Sequence, residues 1–109
     1  MQPGDVVTVA FIGADGAKRR PAVVISSTVY HETRPDIIIG LLTSNISAAT
    51  QPTDYVLQDY DEAGLYSESA FRSYLNMVLP SALTKIGSLS ARDWIQVQRR
   101  IKITFGLDE

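Results

Sequence analysis

Lys18-Arg19-Arg20-Pro21-Ala22-Val23-Val24-Ile25-Ser26-Ser27 is the stretch that decides the fold. Three cations in a row stop at a proline, and a β-branched apolar run follows at once. Pro21 fixes its own φ and disfavours helix at Arg20, so the chain enters the run extended. Val23, Val24 and Ile25 suit a pleated, packed surface, which makes this a core strand. A strand that opens with cations sets guanidinium groups on a rigid rim, where they can hold an anion in fixed geometry. The simplest such anion is a phosphate.

Around that strand the chain punctuates itself. Asp5 to Phe11 reads as a first strand, Gly13-Ala14-Asp15-Gly16 as a turn, and Arg20 to Ser26 as a second strand. The pair forms a hairpin whose loop carries the basic cluster. Thr28 to Pro35 is a polar connection with room for one helical turn. Ile37-Ile38-Ile39-Gly40-Leu41-Leu42 is the most apolar run and reads as a central strand buried on both sides, ending in Thr43-Ser44-Asn45. Tyr55 to Gln58 is a short strand and Asp59 to Gly64 an acidic turn. Ser69 to Val78 is a further strand, with Arg72 and Tyr74 on one face and Phe71, Ser73 and Leu75 on the other. Leu83 to Ser88 is the last strand. Ser90-Ala91-Arg92-Asp93 has the form of a capping box with Asp in place of Glu, and opens a helix. Its apolar stripe is Trp94, Val97, Ile101 and Phe105, and it stops at Gly106. Mostly antiparallel strands with one C-terminal helix, in a single domain over residues 1–109, is the fold these signals give.

The totals narrow the class. A chain of 109 residues, 45% apolar and 20% charged, has ordinary globular composition. No apolar run approaches the ~18 residues of a membrane span. The opening Met1-Gln2-Pro3-Gly4-Asp5 lacks the basic and apolar regions of a signal peptide, so the mature chain is expected to start here and to stay in the cytoplasm. The absence of cysteine removes disulfides, thiol nucleophiles and thiolate metal sites, and suits a reducing compartment. A net charge of −2 argues against a general nucleic-acid coat. Placement matters more than the sum. Between Pro35 and Phe71 there is no Lys or Arg, while Asp36, Asp54, Asp59, Asp61, Glu62 and Glu68 all fall there. A basic spot on an acidic body can bind RNA at one place or face an acidic partner.

Several of these pieces together resemble the PemK/MazF/Kid group of toxin–antitoxin ribonucleases. The likeness is carried by Gly4-Asp5-Val6-Val7, by Arg20-Pro21-Ala22-Val23-Val24-Ile25-Ser26 and by Thr43-Ser44. Tyr30-His31 with Thr33-Arg34-Pro35-Asp36, Ala63-Gly64-Leu65, and Ile86-Gly87-Ser88-Leu89-Ser90 extend it, in order, over nearly the whole chain. The resemblance implies a small, strongly bent Src-homology-like β-barrel of the PemK/MazF/CcdB type with appended helices. It further implies an mRNA interferase: a metal-independent, sequence-selective endoribonuclease acting on single-stranded RNA. Its partners would be a second copy of itself, as a homodimer, and a cognate antitoxin laid over the active groove.

Cutting RNA without a metal needs a base for the 2′-hydroxyl proton, donors for the phosphorane charge and an acid for the leaving 5′-oxygen. One histidine, no cysteine and no tight carboxylate cluster with ligand spacing imply no metal or other cofactor. The resemblance assigns phosphorane stabilisation to Arg20, the arginine just before the proline, and phosphate binding to Thr43 and then Ser44. Lys18 and Arg19 are expected to steer the RNA backbone. Counting from Ala63-Gly64-Leu65, Arg72 falls on a family arginine and Tyr74 on the aspartate two residues beyond it. The chain departs from the pattern there, because a phenol of ordinary pKa ~10 is a poor base near neutrality. Tyr74 therefore either serves as base with cationic help, stacks on a nucleobase, or is a half-buried strand residue. Glu68 and His31 are the alternative bases, with His31 otherwise structural. Trp94 is expected in the core. Tyr55, Tyr60 and Tyr66 ring the acidic loop and could stack unpaired bases, but acidic neighbours repel phosphates, which favours a protein-facing role.

Two other functions fit the same residues. Without the carboxylate, the barrel could be a non-catalytic RNA- or antitoxin-binding module. The third reading is a gyrase poison of the CcdB type, faintly suggested by Phe105-Gly106-Leu107, although Asp108 and Glu109 follow and the expected tryptophan is absent.

Overall fold

The computed structural model describes residues 1–13 and 16–107, with the side chains of residues 11–13 and 17 outside the description. Ala14 and Asp15 of the expected turn, and Asp108 and Glu109, fall outside the described residues. In chain order the elements are β1 (Asp5–Gly13), β2 (Gly16–Val24), α1 (Thr28–Thr33), β3 (Ile37–Thr43), β4 (Tyr55–Val56), β5 (Ala70–Val78), β6 (Leu83–Ser88) and α2 (Ala91–Phe105). The strands form one antiparallel sheet in the order β4-β5-β3-β2-β1-β6.

β2 begins at Gly16, earlier than its apolar run. Lys18, Arg19 and Arg20 are paired with Phe11, Ala10 and Val9 of β1 rather than carried in a hairpin loop. Backbone pairing with β1 extends the strand through residues whose side chains are too polar to announce one.

Alternation along β1 and β2 separates two apolar clusters. Val6 and Val23 join Leu42, Leu57, Phe71 and Val97 beneath α2. Val7, Val9, Ala22 and Val24 join Ile37 and Ile39 on the opposite face, with Val78 and Leu83 packed against them. Curling of the sheet covers that second face. β5 and β6 lie four strand spacings apart in the sheet order, about 19 Å if it were flat. The short link between them folds into a 3₁₀ turn at Pro80–Ala82, rising only about 2 Å per residue, so the sheet must bend to be bridged. Its outer strands β4 and β6 do not pair, which leaves a half-closed barrel.

α2 is fastened by its first turn. The Ser90 hydroxyl accepts the Asp93 amide (3.3 Å), as an N-cap does. The Asp93 carboxylate does not complete the capping box. Wholly buried, it instead accepts the Tyr55 hydroxyl (2.6 Å) and the amides of Gln58 (3.0 Å) and Asp59 (2.8 Å). Burial, and then the bond to Asp93, push the Tyr55 phenol well above its ordinary pKa. Trp94, Val97 and Ile101 contribute to the core as their spacing predicts, whereas Phe105 is 60% exposed past the last packed turn. Gly106 ends the helix in the left-handed region at φ +68°.

Beside Asp93, the Asp59 carboxylate takes two hydrogen bonds from Arg92 (2.6 and 2.7 Å) and one from the Ser90 hydroxyl (2.6 Å). The Arg92 bonds first, and the Ser90 bond second, hold its pKa down at about 2 against an ordinary 3.8. A carboxylate lowered by folding stabilises the native state above its unfolded value and loses that contribution as pH falls through its folded one. Melting temperature should therefore drop between about pH 4 and pH 2, and Asp59→Asn should flatten that part of the curve. An unchanged acid limb in thermal melts of the variant would show that Asp59 does not couple to folding.

Candidate active site

The hydrogen bonding of β2 explains why a groove opens beside it. Val24 turns its carbonyl to Gly4, while Ile25 turns its amide to Ile38, so alternate residues face opposite neighbours. Pro21 falls in the set facing β3 and has no N–H to give. Pairing between β2 and β3 accordingly runs only from Val24 with Ile39 to Ala22 with Leu41, and the strands then part. Carried two residues further, that register would set Arg20 opposite Thr43 on the face shared by Ala22 and Leu41. Both residues line the groove of about 870 Å³ that fills the gap, as do Lys18, Arg19 and Ser44.

Arg20 and Lys18 are exposed, and the described residues include no ion-pair partner for Lys18, Arg19 or Arg20. No carboxylate among the described residues therefore offsets Arg20 at the mouth. Thr43 is half-buried, and its hydroxyl oxygen accepts the Asn45 amide (3.1 Å). That bond orients the hydroxyl and leaves its hydrogen to donate. Arg19 behaves differently. Its guanidinium donates to the Thr8 hydroxyl (3.0 Å), the Thr8 carbonyl (3.2 Å) and the Thr84 hydroxyl (2.9 Å), tying β2 across β1 to β6.

The opposite wall is the segment from Gly64 to Ser69, held in place by a close backbone contact. A Cβ added at Gly64 would collide with the Ile86 carbonyl oxygen, and one at Gly87 with the Ala63 carbonyl oxygen. Gly64 also has φ +84°, which L side chains rarely adopt. Two glycines thus allow the loop to lie flat on β6. Gly64→Ala should lower stability by about 2 kcal/mol or more and displace the loop. A denaturant midpoint equal to wild type would refute the clasp. Both glycines are visible in the sequence, but nothing there says that they touch.

Arg72 and Tyr74 are not among the residues lining the groove. β5 is also not the regular strand expected. Its register with β3 jumps from Leu42 with Phe71 to Gly40 with Leu75, so Arg72, Ser73 and Tyr74 together oppose Leu41. Ser73 sits at φ +60°, with its hydroxyl on the Thr53 carbonyl (2.9 Å). The bulge does keep Arg72 beside Tyr74, the guanidinium 5.1 Å from the ring centroid, and brings it to 3.9 Å from the buried Asp54. Phe71 and Leu75, which flank the bulge, pack into the core.

Of the other bases considered, His31 Nε2 is bonded to the Ser26 hydroxyl (2.5 Å) and lies near Pro35 and Pro80, away from the groove. Glu68 is exposed and is not among the lining residues. Among the described residues, no carboxylate or imidazole borders the groove. The three tyrosines divide. Tyr55 and Tyr60 pack against the core, whereas Tyr66 is fully exposed at the groove rim. What the arrangement offers chemically is charge stabilisation: the Arg20 guanidinium, the Thr43 hydroxyl oriented by Asn45 and the Ser44 hydroxyl line one space open to a phosphodiester.

No relative among curated protein sequences matches the chain. Solved structures do. The MazE–MazF complex from Deinococcus radiodurans superposes with TM-score 0.75 at 18% identity, covering 99% of this chain and 97% of that one. An endoribonuclease in complex with its cognate antitoxin from Mycobacterial species gives 0.80 at 14%, covering 100% and 98%. The Mycobacterium tuberculosis toxin MazF-mt6 gives 0.70 at 19%, covering 99% and 100%. Identities this low establish a shared fold. The model of the PemK-like, MazF-like toxins of type II toxin–antitoxin systems matches residues 2–105, nearly the whole chain. With that match and the matching fold, the chain belongs to the PemK-like, MazF-like toxin family.

Proposed function

We propose that this chain is a metal-independent endoribonuclease that cuts single-stranded mRNA and thereby inhibits growth. The observation that carries the reading is that Arg20, Thr43 and Ser44 line one open groove where β2 and β3 cease to pair. Arg20, with Thr43 and Ser44, would grip the scissile phosphate and stabilise the charge that builds on it. Lys18 would draw the RNA backbone in from solution.

The sequence assignment of Arg72 and Tyr74 to catalysis finds less support in the site's layout, since neither lines the groove of one protomer. Tyr74 and Met77 on β5, and Leu79 just after it, are exposed apolar side chains suited to burial in a homodimer. Molar mass in solution checks that. A cognate antitoxin with an acidic segment would compete with phosphate for Arg20 and Lys18. No helix among the described residues is long and apolar enough to cross a membrane; acting on mRNA, the proposed enzyme would work in the cytoplasm.

Incubating the purified protein with a long single-stranded RNA in EDTA, beside Arg20→Ala, tests the reading. Products ending in a 2′,3′-cyclic phosphate, made by wild type and not by the variant, are expected. Equal cutting by both proteins would refute it. One observation favours a second reading: the groove lacks a carboxylate or imidazole base among the described residues. A binding module would retain RNA intact on the same samples.

A further inference from the structure

We propose that Arg19, clamped by Thr8 and Thr84, is a fixed second phosphate site, holding an RNA phosphate next to the one gripped by Arg20 and Thr43. The inference rests on the endoribonuclease reading above. Exposed arginines are ordinarily mobile, but this one is held by three hydrogen bonds of 2.9 to 3.2 Å. Thr8 and Thr84 are register partners on β1 and β6, and Arg19 reaches both from β2. A rigid three-strand platform therefore sets the guanidinium in position before any ligand arrives, which removes an ordering cost from binding.

All three partners are neutral oxygens, and the described residues include no carboxylate paired with Arg19, so the clamp fixes the cation without cancelling its charge. The donor count identifies the ligand. Of five guanidinium N–H groups, the bonds consume the one on Nε and the two on Nη2, leaving both on Nη1. One remaining nitrogen suits a phosphate oxygen. Bidentate reading of a guanine edge needs parallel donors that this arginine has already committed. Arg19 is set apart from Arg20 by the strand itself. Neighbouring residues of a strand project to opposite faces, yet both line the same groove. Two cations on two sides of one strand edge fit successive phosphates of a backbone passing over it.

The test uses the full chain and one defined single-stranded RNA, with cleavage and binding anisotropy each followed across a potassium chloride series. Arg19→Ala is expected to raise KM and the dissociation constant several-fold, and to leave the cut sequence unchanged. The slope of log affinity against log salt should become shallower by about 0.7, the value for one lost phosphate contact on a single strand. Thr8→Val combined with Thr84→Val keeps the charge and frees the guanidinium, so KM should rise while the slope stays near wild type. Arg19→Lys should retain the slope and lose affinity, and thermal melts of every variant separate these effects from unfolding. A wild-type slope and affinity in Arg19→Ala, or a lowered melting temperature with no change in either, overturns the proposal. So does a change of preference at one base position, which would make Arg19 a base reader. If wild type binds the RNA but does not cut it, the endoribonuclease reading fails, and the salt slope of binding still decides the clamp.

Discussion

Arg20→Ala is expected to slow RNA cleavage by about 100- to 1,000-fold, the usual loss when one donor aimed at a developing oxyanion is removed. The size follows from placement. Arg20 stands at the rim of a groove with no ion-pair partner among the described residues, so no internal carboxylate competes for its charge. Its loss should fall mainly on kcat, because the phosphorane carries more negative charge than the bound diester. Arg20→Lys should recover little, since an ammonium lacks the planar fork that spans two phosphate oxygens. Thr43→Val should cost less, about tenfold, because one neutral hydroxyl is removed and its shape is kept. Initial rates on a defined RNA check the series. Stability should be almost unchanged, because Arg20 is exposed. A variant that kept wild-type kcat would remove Arg20 from the chemistry.

The largest effect on folding is expected at the other end of the chain. Asp93→Asn should destabilise the protein by about 3 kcal/mol, because an amide nitrogen would face backbone donors that now meet a carboxylate. Asp93 is completely buried and accepts three hydrogen bonds of 2.6 to 3.0 Å from Tyr55, Gln58 and Asp59. Those bonds join α2 to β4 and the segment after it, so their loss loosens the element that covers one apolar cluster. For a domain near this size the melting temperature should fall by about 15 °C. Tyr55→Phe removes one of the three donors and leaves the other two, so its cost should be about 1 kcal/mol. Comparable melting temperatures for Asp93→Asn and wild type would show that the buried carboxylate is not what anchors the helix.

Both residues lie within patterns that the sequence displays, yet they differ in how much it disclosed. The position of Arg20 follows from Pro21, since a proline in a strand must leave one neighbour unbonded, and the apolar run after it sets where pairing resumes. The hydroxyl pair ending the Ile37–Leu42 run was legible for the same local reason. Asp93 differs in role: its spacing from Ser90 suggests a local cap, while the carboxylate serves a segment some thirty-five residues away. Sequence position groups Tyr66 with Tyr55 and Tyr60, but the fold packs those two against the core and presents Tyr66 at the groove. The Arg72–Tyr74 spacing assumed an unbroken two-residue period, and a bulge with Ser73 at φ +60° interrupts it.

By itself the sequence determined the order and kind of the elements, the antiparallel hairpin, the helix that ends at Gly106 and the charged rim before Pro21. All of these depend on backbone chemistry and side-chain period over a few residues. Only the tertiary structure decided that Arg19 is clamped by two threonines from other strands, that Gly64 lies on Gly87, and that Arg72 stands apart from the groove. Those outcomes depend on how a bent sheet brings distant segments together, and no local spacing encodes that curvature.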